Sequence, residues 1–211
     1  MGRRKISIED LQNKEAYKMI LEIDHQNMVP FILHEFRNRN LIIHLFVLIN
    51  LGLVTAGLVF AIEQINQGSI GVIALFLLWI SGAIAGSTIV VPIHEGLHGL
   101  AYYSLGAKKV TYGGNLKQFY FFAVADRFVL DEKGIWPLAL SPFVFISLAC
   151  ILGILNATVP WQCFFWGFLT MHSLNCLGDF GILSFFWSNR GKKIFTYDLV
   201  DQGKSFVFRA K

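Results

Sequence analysis

Long apolar runs separated by short polar segments dominate this chain. Leu41–Ile62 is an apolar run of 22 residues, and residues 70–105 form a second run of 36. Because about 20 apolar residues cross the hydrocarbon core of a bilayer, the first run predicts one membrane span. The second run is too long for one straight crossing. Pro92 predicts a kink that divides it into a span over 70–91 and a helix over 92–105.

Two further apolar runs, Trp136–Leu155 and Trp161–Trp187, bring the predicted spans to four. Between the second and third spans, β-forming residues flank Gly113-Gly114-Asn115, a pattern typical of a hairpin. Such a hairpin could pair with an extended substrate, or it could be only a surface loop. The predicted fold class is all-α integral membrane, with four transmembrane helices and a short cytoplasmic β-hairpin between spans two and three.

The polar ends of the chain frame this membrane domain. Residues 1–40 mix charged and apolar residues, which predicts either an amphipathic helix lying on the membrane surface or a solvated arm. This segment has no apolar core, so we expect no cleavable signal peptide in it. The predicted division is a cytoplasmic arm over 1–40, a four-span domain over 41–187 with its core at 70–187, and a cytoplasmic tail over 188–211.

Composition supports a membrane location. The chain is 55% hydrophobic and 15% charged, whereas soluble domains carry about 25% charged residues. Its net charge of +4 comes from basic residues bordering the apolar runs: seven in 1–40, five in 106–135 and six in 188–211. The positive-inside rule then predicts a multi-pass cell-membrane protein with both termini cytoplasmic. The expected partner is the lipid bilayer, and nucleic acid is not expected.

The chemistry centres on His94-Glu95-Gly96-Leu97-His98, inside an apolar run. Residues four apart share a helical face, so His94 and His98 can direct ring nitrogens at one point. That arrangement suits Zn²⁺. Glu95 can take a proton from a metal-bound water. Because an ionised side chain inside a membrane helix is costly, its presence there indicates function rather than packing.

A second polar group lies in the fourth predicted span. His172, Asn175 and Asp179 are spaced by three and four residues, which places them on one helical face. Asp179 and Glu95 are the only acids inside the predicted spans. Counted from the inner ends of their helices, His94 and Asp179 both fall in the cytoplasmic half of the bilayer, so a shared metal is geometrically possible.

The two motifs, His94 to Gly99 and Asn175 to Asp179, resemble those of the putative membrane zincin peptidases, a family similar to the site-2 proteases. The resemblance covers roughly residues 70–187. It implies that His94, His98 and Asp179 bind zinc, that Glu95 is the catalytic acid/base, and that Asn175 lies near the substrate or the developing oxyanion. His172 is a rival third ligand.

Two functions follow as hypotheses. The preferred one is an integral membrane zinc metallopeptidase that hydrolyses a peptide bond of a membrane-protein or peptide substrate by a zinc-activated water, with Glu95 as general base. The alternative is a non-catalytic membrane metal-binding or interaction protein that keeps the same fold. Transport is disfavoured because a transported ion needs a ladder of ligands and the sequence offers one cluster.

Overall fold

The computed structural model describes residues 6–25, 28–115 and 120–211, and within these ranges the chain is mostly helical. The helices are α1 (Ile8–Gln12), α2 (Met28–Arg37), α3 (Leu41–Asn66), α4 (Val72–Ser87), α5 (Val91–Ser104), α6 (Glu132–Asn156), α7 (Val159–Asn175) and α8 (Leu177–Ser188). The strands are β1 (Tyr17–Asp24), β2 (Thr111–Asn115), β3 (Tyr120–Val124), β4 (Leu130–Asp131), β5 (Ile194–Leu199) and β6 (Lys204–Ala210).

Several of the helices are candidate membrane spans. Among the described residues, α3 and α6 are each long and apolar enough to cross a membrane, and α4 and α5 meet the same criterion as a pair bent by 42°. Pro92 lies in the first turn of α5, where its missing N–H removes no helical hydrogen bond. The kink predicted near Pro92 is therefore present as a break between two helices.

The fourth predicted span, 161–187, is not one helix. It is divided into α7, with 17 residues, and α8, with 12. The backbone N–H of Cys176 donates to the carbonyls of His172 and Ser173, so the last turn of α7 tightens and the helix ends. A continuous helix over this span was a wrong prediction. The break starts α8 two residues before Asp179.

Small residues allow α4 and α7 to pack backbone to backbone. A Cβ added at Gly82 would lie 2.0 Å from the carbonyl oxygen of Phe164, and one added at Gly86 would lie 2.5 Å from that of Phe168. On the other side, a Cβ at Gly167 would lie 2.0 Å from the carbonyl oxygen of Trp79. Small residues at 82–87 permit this close approach, which is typical of helix packing in membranes.

A four-stranded antiparallel sheet in the order β1-β6-β5-β4 joins both ends of the chain. The fold is mostly helical, as predicted, but it also contains this small antiparallel sheet, which the predicted all-α class did not include. The arm over 1–40 is likewise not one amphipathic helix, because β1 lies between α1 and α2. Its apolar residues recur at every second position (Tyr17, Met19, Leu21, Ile23), which is the period of a strand.

The tail over 188–211 forms the β5–β6 hairpin of this sheet, with Ile194 paired to Arg209 and Leu199 to Lys204. Leu11 of α1 packs on one face of it with Tyr197 and Phe208, so the two ends of the chain share a small hydrophobic core. The predicted division into arm, membrane domain and tail stays a prediction. The arm and the tail are nevertheless one packed unit.

The second sheet is an antiparallel pair of β2 and β3, with Thr111 opposite Val124 and Gly113 opposite Phe122. The predicted turn at 113–115 was wrong, because these residues belong to strand β2. Glycine suits position 113 of this strand because a Cβ there would lie 2.5 Å from the Phe122 ring. Residues 116–119, which connect the strands, lie outside the described residues.

We expect Gly82→Ala to weaken the α4–α7 contact, since the added methyl group overlaps the backbone of α7. Overpacking of this kind costs about 1–3 kcal/mol. The matched control is Gly52→Ala in α3, where a Cβ meets nothing within 4 Å. The control should leave the free energy of unfolding in mixed micelles unchanged or raise it by up to about 1 kcal/mol. Equal effects of the two substitutions would contradict this packing.

Candidate metal centre

The motif helix α5 brings two imidazoles together. His94 and His98 lie four residues apart on one face, and their Nε2 atoms are 3.1 Å from each other. Their rings stand edge to face with centroids 4.8 Å apart. The two nitrogens therefore point at a common position, as the spacing of the motif predicts.

Asp179 reaches the same position from the first turn of α8. One carboxylate oxygen, Oδ2, lies 3.3 Å from Nε2 of His94, and the other, Oδ1, lies 3.1 Å from Nε2 of His98. The carboxylate is buried, with 9% of the residue exposed. The structure thus brings together the three residues for which the resemblance implies zinc binding.

The spacing of these donors fits zinc. Ligand atoms about 2.0–2.1 Å from a tetrahedral zinc ion stand about 3.3–3.4 Å from one another. The two imidazole nitrogens are 3.1 Å apart, and they lie 3.3 Å and 3.1 Å from the two different oxygens of the Asp179 carboxylate. Two imidazoles with one carboxylate is also a donor set that catalytic zinc uses, and it leaves a fourth position for water or substrate.

A backbone carbonyl orients the ring of His98. Its Nδ1 lies 2.9 Å from the carbonyl oxygen of Leu138 in α6, and a carbonyl can only accept, so Nδ1 carries the proton and donates. Nε2 is then the nitrogen left to face His94 and Asp179, where it donates to the carboxylate when protonated and offers a lone pair to a metal ion when it is not. Outer hydrogen bonds of this kind fix the tautomer of a histidine that binds a metal.

His172 lies on the opposite side of the His94 ring. Its Nε2 is 3.3 Å from Nδ1 of His94, the nitrogen that points away from His98 and Asp179. The residue is completely buried, and Sγ of Cys176 lies 3.8 Å from the same Nε2. The structure therefore places this rival ligand behind His94 and places Asp179 in front of it.

Glu95 stands beside the three donors, and one of its oxygens lies within 4.8 Å of ring nitrogens of both His94 and His98. The backbone N–H of Ala123 in β3 donates to the carboxylate. The oxygen Oε2 is buried and has no hydrogen-bond partner among the described residues. A buried carboxylate oxygen aimed at a donor cluster is suited to receive a proton there.

Asn175 is tied to a neighbouring helix. Its Nδ2 donates to the carbonyl oxygen of Gly86 at 3.2 Å, which fastens the end of α7 to the end of α4. The amide nitrogen carries two hydrogens, so one remains for a further partner. The suggested role near the substrate or oxyanion stays a prediction.

These groups line a cavity of about 730 Å³ that extends from the metal centre to the four-stranded sheet. Its walls include Phe121 and Phe122 of β3, and His25, Asp198 and Ser205 lie at the sheet. His25 is buried, and its Nε2 is 2.9 Å from Oγ of Ser205. No spacing in the sequence joins residues so far apart, so this part of the wall was missed.

We expect the detergent-purified protein to carry about one zinc ion per chain, and His98→Ala or Asp179→Ala to abolish stoichiometric binding, because each removes one of three donors. Metal analysis after dialysis measures this. His34→Ala is a matched control, since His34 is exposed on α2 and distant in sequence from the motif. Full zinc retention by Asp179→Ala, with loss in His172→Ala, would show that His172 is the third ligand.

Comparison with known proteins agrees with this geometry. A sequence profile of the family described as putative zincin peptidase matches residues 87–192, half of the chain. The match includes the motif in α5, the β2–β3 pair and Asp179 in α8. No curated protein and no solved structure matches the chain. The chain belongs to the putative zincin peptidase family.

Proposed function

We propose that this protein is an integral membrane zinc metallopeptidase that hydrolyses a peptide bond within or beside the bilayer. The observation that carries the proposal is the convergence of His94, His98 and Asp179 within 3.1–3.3 Å of one another, with the carboxylate of Glu95 beside them. A metal-storage or structural site would have no use for an additional, partly buried acid that is not needed as a ligand.

Glu95 is the proposed general base. Zinc held by His94, His98 and Asp179 would supply Lewis acidity toward a peptide carbonyl and would make water a stronger acid. Glu95 would accept a proton from the attacking water on Oε2, the oxygen without a partner among the described residues, and would deliver it to the departing amine. The N–H of Ala123 steadies the carboxylate during both transfers.

The β2–β3 pair is the proposed guide for the substrate. β2 occupies one edge of β3, while the N–H of Ala123 points the other way, toward Glu95. Residues 121–124 of β3 also line the cavity. An extended peptide lying along this edge would pass the general base, which supports the strand-addition hypothesis over that of a surface loop.

The four-stranded sheet supports a topology with four membrane crossings. Strands of one sheet share backbone hydrogen bonds, so β1, β4, β5 and β6 lie on one side of a membrane. They come from the three basic segments of the sequence, 1–40, 106–135 and 188–211. An even number of crossings must therefore separate successive segments. The helix α3 with the bent α4–α5 pair provides two, and α6 with α7–α8 provides two more.

This topology predicts that Gln67 and Asn156 face outward while Lys192 faces the cytoplasm, because the basic side of the protein stays inside. Single cysteines at these three exposed positions, labelled in intact cells with an impermeant maleimide, measure it. The native Cys150, Cys163 and Cys176 are buried and can remain. External labelling at position 192 would overturn the topology. Lys117, an equivalent inner marker in the sequence, lies outside the described residues.

We expect Glu95→Gln to retain zinc and lose peptide cleavage by about 10²–10⁴-fold, since the amide is nearly isosteric but cannot accept the proton. Cleavage is scored by co-expression with candidate single-span membrane proteins and detection of a shortened fragment. Glu63→Gln, an exposed acid in α3, is the matched control and should cleave as the parent does.

The outcomes of this experiment are separable. Cleavage by Glu95→Gln at the parental rate would refute the mechanism. Retention of zinc by the parent without cleavage of any candidate would instead favour the non-catalytic function, in which the same fold binds metal or a partner.

A further inference from the structure

Each histidine of the motif has a hydrogen-bonding partner at Nδ1 of its ring. For His98 the acceptor is the carbonyl oxygen of Leu138, 2.9 Å from Nδ1. For His94 the group at Nδ1 is Nε2 of His172, at 3.3 Å. Each ring is thus contacted at Nδ1: that of His98 by a backbone carbonyl, and that of His94 by a side chain that the proposed mechanism does not use.

The direction of the hydrogen bond between His94 and His172 follows from the role of the other ring nitrogen of His94, which would bind the metal. With zinc held by His94, His98 and Asp179, Nε2 of His94 would offer its lone pair to the ion, and the ring proton would then be on Nδ1. That N–H can donate only to an unprotonated Nε2 of His172. His172 must consequently be neutral, with its own proton on Nδ1.

We propose that His172 is a positioning residue of the metal centre, which fixes the tautomer and orientation of His94 and thereby strengthens zinc binding without contacting the metal. This inference rests on the zinc centre of the proposed function, but it does not require that the centre be catalytic. It assigns His172 a role different from that of the rival third ligand.

The surroundings of His172 argue against a simple packing role. The residue is completely buried, and its Nδ1 has no hydrogen-bond partner among the described residues. An unsatisfied buried N–H is unfavourable, so an apolar residue would fill this position at lower cost. In the described part of the chain, the ring of His172 contacts the ring of His94, with the two ring centroids 5.6 Å apart.

Cys176 defines the competing structural interpretation. Nδ1 of His94, Nε2 of His172 and Sγ of Cys176 lie within 4.8 Å of one another and could hold a metal ion of their own. In that arrangement His172 would be a ligand. A thiol is also a weak donor, so Cys176 can instead direct its S–H toward Nε2 of His172. The stoichiometry of metal binding separates these two arrangements.

The test compares zinc affinity in detergent-purified His172→Phe and His172→Gln proteins, measured by competition with a chromophoric chelator. Phenylalanine fills the space without an acceptor, whereas the carbonyl oxygen of glutamine can reach the position of Nε2. We expect His172→Phe to bind one zinc about 10–100-fold more weakly, the usual effect of losing an outer-shell partner. His172→Gln should recover most of that loss.

Ser173→Ala is the matched control. Ser173 is equally buried, is adjacent in sequence, and has an Oγ without a partner among the described residues. It should bind zinc as the parent does. Unchanged affinity in His172→Phe, or equal losses in the phenylalanine and glutamine variants, would overturn the positioning role. A second zinc per chain that disappears in Cys176→Ser would overturn it as well.

A measurement on the unsubstituted protein covers the case in which a variant does not fold. In zinc-loaded protein labelled with ¹⁵N-histidine, the nitrogen chemical shifts should show Nε2 of His172 unprotonated and Nδ1 protonated. The opposite tautomer would exclude the acceptor role. Absence of zinc binding by the parent would refute the proposed function itself, whereas zinc binding with the opposite tautomer refutes only this inference.

Discussion

A carboxylate buried among apolar helices is the constraint on which this structure depends. An isolated buried charge costs several kcal/mol, and the cost is offset only when its oxygens meet well-placed partners. Asp179 meets ring nitrogens of His94 and His98, one with each oxygen, so protonated imidazoles or a metal ion shared by the three residues can offset its charge. The bend between α4 and α5 sets where α5 begins, just before His94 and His98. The break at Cys176 sets where α8 begins, just before Asp179.

The part of the site that α5 carries could be predicted, because it depends only on residues that are close together in the sequence. The spacing of His94 and His98 is one helical turn, and an acid inside an apolar run draws attention wherever it occurs. The structure brings Asp179 to the motif, while its role as a ligand stays a prediction. The side of His94 on which His172 lies could not be derived, because spacing gives the face of a helix but not which nitrogen of a distant ring is approached.

The parts that were mispredicted depend on long-range pairing. The alternation in 17–24 was available as a strand signal, but nothing in that segment names β6 as its neighbour. The break at Cys176 was hidden because no proline marks it and because the polar residues around it, His172, Asn175 and Asp179, are spaced as on one continuous helical face. The hairpin turn was misplaced because glycines usually mark turns, whereas Gly113 serves to make room for an aromatic ring across the ladder.

The pairing of β1 with β6 has a consequence for the order in which the protein is assembled. His25, at the end of β1, and its partner Ser205 are 180 residues apart. During synthesis β1 leaves the ribosome first and must wait, unpaired, until every helix has been made. One wall of the cavity is therefore missing until the last strand arrives, and the enclosed centre forms only in the finished chain. A nascent chain of this design has an incomplete cavity wall while its helices are being made.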